Sequence, residues 1–292
     1  MFFEKYNDKR DGAIRGFDMC ARKNRFLAGL IMLICLVMVT IALFPVIWVF
    51  LAAFKDLKDF SRNVTIFPAR FDVEGVKQTW TQLKFARYYL NSLILVAGAL
   101  VCAIIFNGLL AYGLAILKPK GYKVVNALVM WSLLIPSTAS IVALFRNINL
   151  LGLNKSFLPL WLCYGANAFY VILFKEFFEE LPKELLEAAR LDGCGTLPVF
   201  SRIVMPLSRP IIMVVAIFAV TAAWSDFLLP YLVLNPSDKI TVMVKLFTFK
   251  DTPTNAVSML RAVMFSIIPP TIIFILFQKQ ITDGAAAGAV KG

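Results

Sequence analysis

Long apolar runs separated by short polar stretches dominate the chain. Six of them have the length of a span: Phe26 to Phe54, Tyr89 to Leu117, Val124 to Phe145, Phe157 to Phe174, Ile211 to Leu234 and Val257 to Phe277. A helix needs about 20 apolar residues to cross the hydrocarbon core of a bilayer. The fourth run is the weakest, because it carries Gly165 and Asn167. The pattern predicts an all-α, polytopic membrane protein with six transmembrane helices. It divides the chain into an N-terminal segment 1–25, a transmembrane domain 26–280 and a C-terminal tail 281–292. Pro45, Pro136 and the pair Pro269-Pro270 fall inside apolar runs. Each lacks a backbone donor and tends to kink its helix. A bilayer tolerates such breaks where neighbouring helices or a water-filled cavity satisfy the freed groups.

Basic flanks set the expected orientation. Lys5, Lys9, Arg10, Arg15, Arg22, Lys23 and Arg25 precede the first span, and Lys118, Lys120 and Lys123 mark the turn between the second and third. These place the N-terminus, the 118–123 turn, the 175–209 segment and the C-terminus in the cytoplasm. The loop from Lys55 to Arg87 is also partly basic but should lie outside. It is longer and mixed with acids, so the N-terminal cluster decides. No cleavable signal peptide is expected, since the first apolar run is too long for a signal core.

Composition agrees with a membrane chain. Of the 292 residues 60% are apolar and 16% charged, against about 45–50% and about 25% in soluble domains. The net charge of +12 fits cationic loops facing anionic lipid, and no nucleic-acid-binding pattern accompanies it. Histidine is absent, which removes histidine bases and histidine metal ligands, and no metal site is expected. The five cysteines, Cys20, Cys35, Cys102, Cys163 and Cys194, form no C-x-x-C pair and read as small hydrophobes. No Gly-x-x-x-x-Gly-Lys-Ser/Thr string occurs, so no P-loop nucleotide site is expected on this chain.

The segment between the fourth and fifth spans reads as two short helices and a turn. Pro182 suits a helix start. Leu185, Ala188 and Ala189 are expected on one face, extended by Leu181 and Asp192. Glu187 and Arg190 are spaced to pair, and Gly193 supplies the left-handed residue that ends such a helix. A second helix should run from about Thr196 to Ile203, closed by Pro206 and Pro210 before the fifth span.

The string Glu187-Ala188-Ala189, then Asp192-Gly193, Phe200, Pro206-Leu207 and Pro210 resembles the EAA signature of ABC importer permeases. In that family the loop, here 180–207, folds as coupling helices that dock on an ATP-hydrolysing subunit. The resemblance therefore implies ATPase coupling through Glu187, Ala188, Ala189, Asp192, Gly193, Phe200 and Pro206. Asn91-Ser92 and Trp224-Ser-Asp-Phe227 look like the carbohydrate-importer branch, although Ser225 stands where that branch usually has asparagine. The tail from Asp283 is similar to that of the smaller maltose-transporter permease, which implies ATPase contacts by Gly284, Gly288 and Lys291. The resemblance further implies a second permease, two ATPase subunits carrying ATP and Mg, an external solute-binding protein, and a non-catalytic role for this chain in a bacterial inner membrane. The implied cargo is an oligosaccharide, and a likeness to permeases of alginate importers adds uronates to the candidates.

Polar residues inside spans usually face a cavity or a partner. Asp226 reads either as a group at the cavity or outer gate or as an interfacial residue. Trp224 and Tyr231 could stack on a sugar ring or mark the aromatic belt. Asn167 joins them as a candidate for the substrate path. Asn107, Asn126, Asn167 and Ser132 suit helix–helix hydrogen bonds. Arg146, Lys245 and Arg261 lie near outer span ends, where an acidic cargo would want cations. The alternative reading is a secondary transporter or channel with no ATPase. It would predict inverted repeats and paired broken helices with intramembrane acids, and the sequence offers few such acids. A membrane-embedded enzyme finds no clustered catalytic residues.

Overall fold

The computed structural model describes residues 22–62, 65–249 and 255–289, without the side chains at 22–25, 137 and 279–289. Every regular element among the described residues is helical. The chain forms two compact units that divide between Asp72 and Val73, inside the stretch expected to be a single transmembrane domain.

The first unit contains α1 (Arg22–Ala53), which runs unbroken through Pro45, and α2 (Leu57–Arg62). Leu, Ile and Val cover α1 on all sides, as expected of a helix solvated by apolar surroundings. Just beyond it Lys55 is buried and donates to the Thr65 carbonyl and, at 3.0 Å, to its hydroxyl. The Asp72 amide closes the unit on the Phe54 carbonyl at 2.8 Å.

The second unit begins with α3 (Val73–Gln82) and α4 (Phe85–Tyr112), which continues through a π-helical turn, Gly113–Leu117. Then come α5 (Tyr122–Ser132), α6 (Ser137–Leu150), α7 (Leu158–Gly165) and α8 (Ala168–Glu179). Next, α9 (Lys183–Leu191), α10 (Thr196–Val199), a π-helical turn Phe200–Val204 and α11 (Met205–Leu207) lead into α12 (Arg209–Ser225). Finally α13 (Leu228–Leu234), α14 (Val242–Phe249) and α15 (Ala256–Ala289) complete the chain.

The six apolar segments are not alike. Phe26–Ala53, Phe85–Leu117 and Ala256–Gln278 are continuous and long enough to cross a membrane. The fourth predicted span is instead a pair, α7 and α8, bent by 42° at a short break. The third is split into α5 and α6, of 11 and 14 residues, at a break that ends on Pro136, the residue least able to continue a helix. The fifth stops at Ser225, and α13 resumes after Asp226 and Phe227. By contrast α15 runs through Pro269-Pro270 and continues as helix into the expected C-terminal tail, to Ala289.

At the centre of the second unit, α4 packs against α7, α8 and α12, and α12 packs against α15. Small residues permit this closeness. Ala99, Ala103, Gly108 and Ala111 line the buried side of α4. Gly98 lies so close to the Trp161 ring that a Cβ would sit 2.2 Å from it, and one on Gly165 would lie 2.7 Å from Phe106. Among the described residues, buried side chains gather in several groups, of which three matter here. Leu95, Phe157, Leu160, Val233 and Leu234 form one. Trp80 anchors a second, with ring centroids 5.6 Å from Phe85, 5.1 Å from Tyr89 and 5.0 Å from Phe265. The third joins the far end of α4 to the segment between α8 and α12.

Candidate functional site

The α9–α11 segment is locked onto the bundle by its own apolar residues. Leu186 and Ala189 are buried against a cluster that includes Tyr112, Phe174, Phe178, Val199, Phe200 and Val204. Burying a leucine contributes roughly 1.5–3 kcal/mol. Ala189 lets the α9 backbone lie close to the bundle. The Phe200 ring sits 5.3 Å from that of Tyr112, whose hydroxyl donates to the Thr196 carbonyl at 3.1 Å. The end of α4 thus holds α10 and the turn after it through one aromatic contact and one hydrogen bond.

Gly193 ends α9 in the left-handed region, at φ +76°. Its amide donates to the Arg190 carbonyl, and the Cys194 amide to the Ala189 carbonyl, both at 3.0 Å. This pair of bonds is a Schellman closure, which satisfies carbonyls left free at the helix end. Pro206 lies in the first turn of α11. Between α11 and α12 the chain bends by 82° at Ser208, whose buried hydroxyl donates to the Val204 carbonyl at 2.7 Å. Residues 196–207 therefore turn sharply away from the span they precede.

The expected shared face is divided between the bundle and the outside. Leu186 and Ala189 point inward, while Leu185 and Ala188 are exposed with Glu187, Asp192 and Gly193. Leu185 is 46% exposed, Leu191 89% and Leu197 66%. Each apolar neighbour pair, Leu185-Leu186 and Ala188-Ala189, offers one residue to the bundle and one outward. Among the described residues Glu187 and Arg190 form no ion pair; Lys175 with Glu179, at 3.0 Å, does. Gly284 and Gly288 lie on the backbone of α15, and Lys291 lies outside the described residues.

The candidates for the substrate path are dispersed. Asn167 caps α8, its side-chain oxygen accepting from the Phe169 amide at 3.0 Å and the Tyr170 amide at 3.3 Å. Its own amide donates to the Asn107 oxygen at 2.9 Å. Asn107 also donates to the carbonyls of Ala103 at 2.7 Å and Tyr164 at 2.9 Å, tying α4 to the α7–α8 break. Trp224 is 3% exposed, packs edge-on to Tyr89 at 5.5 Å and donates to the Ser266 carbonyl at 3.1 Å. Its ring is enclosed by neighbouring helices of this chain. Asp226 is half-buried and accepts from the Leu228 amide at 3.1 Å, bridging α12 and α13. Tyr231 meets the Phe247 ring edge-on at 5.6 Å, and Phe227 stacks on Phe247 at 4.9 Å, with both phenylalanines partly exposed. Arg261 is buried beside the Thr79 hydroxyl at 3.4 Å, Lys245 lies 5.7 Å above the Tyr88 ring, and Arg146 is exposed.

Asn91 and Ser92 carry a role that their place at the head of a span did not disclose. Asn91 donates to the carbonyls of Asp238 and Ile240, each at 2.9 Å, and Ser92 accepts from the Val242 amide at 3.0 Å. Arg87 adds an ion pair to Asp238 at 2.8 Å. The start of α4 therefore pins the loop between α13 and α14.

Residues 16–285 match the family described as the binding-protein-dependent transport system inner membrane component. The probable ABC transporter permease protein YurM of Bacillus subtilis is 31% identical over 252 residues, 85% of this chain and 84% of its own length. The diacetylchitobiose uptake system permease protein NgcG of Streptomyces coelicolor is 27% identical over 256 residues, covering 86% of this chain and 85% of its own. Among solved structures, a chain from a bacterial ABC transporter involved in the import of the acidic polysaccharide alginate shares the fold with a TM-score of 0.80. That match covers 89% of this chain and 98% of the other at 22% identity.

Proposed function

Since the chain belongs to the family of binding-protein-dependent transport system inner membrane components, we propose that it is the permease subunit of an ATP-binding-cassette importer for an oligosaccharide, driven by separate ATPase subunits that grip the outward face of α9 and α10. The observation that carries this reading is the division of the EAA-like segment. One apolar face is buried in the bundle while Leu185, Leu191 and Leu197 stand exposed. Exposed apolar clusters rimmed by charge mark partner surfaces.

In this reading α9–α11, the N-terminus and the end of α15 lie in the cytoplasm. The ATPases bind ATP and Mg, close on one another and drag α9 with them. Because Leu186, Ala189 and Phe200 are packed against Tyr112, Phe174 and Phe178, that movement passes to α4 and α8 through side chains in contact. The 82° bend at Ser208 passes it to α12. A second permease completes the path, and an external binding protein delivers the sugar. The Gly284–Gly288 stretch of α15 meets the ATPases with Lys291.

A saccharide cargo is supported by the sugars that the relatives' names carry. On this chain the Phe227–Phe247 pair with Tyr231 at its edge offers apolar ring faces to a sugar, and Asp226 lies next in sequence. Transport of neutral and uronate oligosaccharides by the reconstituted complex tests the charge of the cargo. Faster uptake of the uronate assigns an acidic sugar, and preference for the neutral one removes it. The coupling reading is tested by ATPase activity in the complex. Leu191→Asp should abolish its stimulation by loaded binding protein, whereas an unchanged stimulation contradicts it.

A further inference from the structure

A half-open cavity of about 290 Å³ lies beside α9, lined by that helix, the π-helical turn that continues α4 and the end of α8. Lys118, Lys183 and Arg190 reach it from three places: the turn that ends the second span, the first turn of α9 and its last turn. Among the described residues none of these three has a carboxylate within ion-pair distance. Of the two acids on the wall, Glu179 is taken by Lys175 at 3.0 Å, which leaves Glu187 as the only wall carboxylate without a cation. Phe178 supplies an apolar floor. At about 3.6 residues per turn, residues 183, 186, 187 and 190 share the face of α9 toward this cavity, and 185, 188 and 192 share the opposite one. The cavity therefore shares Glu187 with the expected coupling set, while Leu185, Ala188 and Asp192 lie on the far side of α9.

We infer that this cavity binds a phosphate group, held by Lys118, Lys183 and Arg190, and that the bound anion ties α9 to the end of α4. Three cations line one cavity beside the turn that continues α4, and their charge exceeds that of the free carboxylate. A phosphate is the anion that lysine and arginine bind together with charge-assisted bonds. Basic pockets at the inner ends of spans also take the headgroups of anionic lipids. The volume suits a headgroup or a small phosphate ester, at the low end of the about 300–1,000 Å³ usual for ligand sites. The cytoplasmic placement rests on the orientation proposed above; the binding itself does not.

The test uses the assembled transporter in nanodiscs. One arm measures phosphatidylglycerol retained by the protein from mixed phosphatidylglycerol and phosphatidylcholine discs, by native mass spectrometry. The other titrates inorganic phosphate into phosphatidylcholine discs, by calorimetry. Lys118→Gln with Lys183→Gln should weaken binding by roughly tenfold or more, as expected for two lost charge-assisted bonds. Lys118→Arg with Lys183→Arg should retain it. Retention of the lipid alone assigns a headgroup, and binding of phosphate in the second arm assigns a soluble ester. Either result supports the site. Wild type that binds neither probe, or a double glutamine variant that binds both as wild type does, overturns it. ATPase coupling is recorded in the same discs, so a failure of the permease reading shows as lost coupling with phosphate binding intact.

Discussion

Gly193 sits at φ +76°, a conformation that costs roughly 1–2 kcal/mol once a Cβ is present. Its two closing hydrogen bonds turn the chain from α9 into α10. Gly193→Ala should therefore loosen α9 and raise the rate of tryptic cleavage at Arg190, and Gly193→Asn should recover part of the loss, because asparagine tolerates this region. Equal cleavage of all three proteins would contradict the role given to the turn. Asn91 gives a second prediction. Replacement by alanine leaves the Asp238 and Ile240 carbonyls without their side-chain donor, at a cost of about 1–3 kcal/mol. Cleavage at Lys239 should speed up while the bundle stays folded. The sequence made Gly193 legible, since a helix end beside Asp192 needs a left-handed residue. It could not disclose Asn91, whose partners lie 147 and 149 residues away. The burial of Trp224 was hidden for the same reason: its acceptor is Ser266, on another helix.

Helices in this chain approach one another where side chains are absent. Gly98 admits the Trp161 ring, so Gly98→Val should lower thermal stability in detergent by about 1–3 kcal/mol through overpacking. Trp161→Ala removes the obstacle. The double variant should be more stable than the sum of the two single losses, a coupling expected only of residues in contact. Strict additivity would show that the close approach of α4 and α7 does not depend on this pair. Apolar runs revealed the spans because bilayer solvation demands about 20 apolar residues each. They did not reveal which spans break. Pro136 ends the break between α5 and α6, whereas Pro269 and Pro270 leave α15 whole, because the outcome depends on what packs around each proline. The inward face of α9 was likewise hidden. Leu185-Leu186 and Ala188-Ala189 are doubled apolar pairs, and a period of about 3.6 fits either member until the bundle selects Leu186 and Ala189.

At the scale of the molecule, the second unit has a packed interior and an exposed coupling-loop surface, and the proposed function joins the two. Its buried groups hold α4, α8 and α12 together, and its outward leucines on α9 and α10 wait for a partner. The fold class and the importer family were legible because the EAA-like string combines residue types, spacing and position between spans. The proposed coupling route was not, since Tyr112, Phe174, Phe178 and Phe200 meet only after folding. The most direct test of the whole account is affinity purification of the tagged chain from its native membrane in mild detergent, beside a Leu191→Asp, Leu197→Asp variant. The account predicts that an ATPase and a second permease accompany the wild type, and that the variant keeps the permease and loses the ATPase. A folded wild type that comes down without an ATPase, or a variant that keeps it, would contradict the claim that these outward leucines are where the energy of ATP enters the bundle.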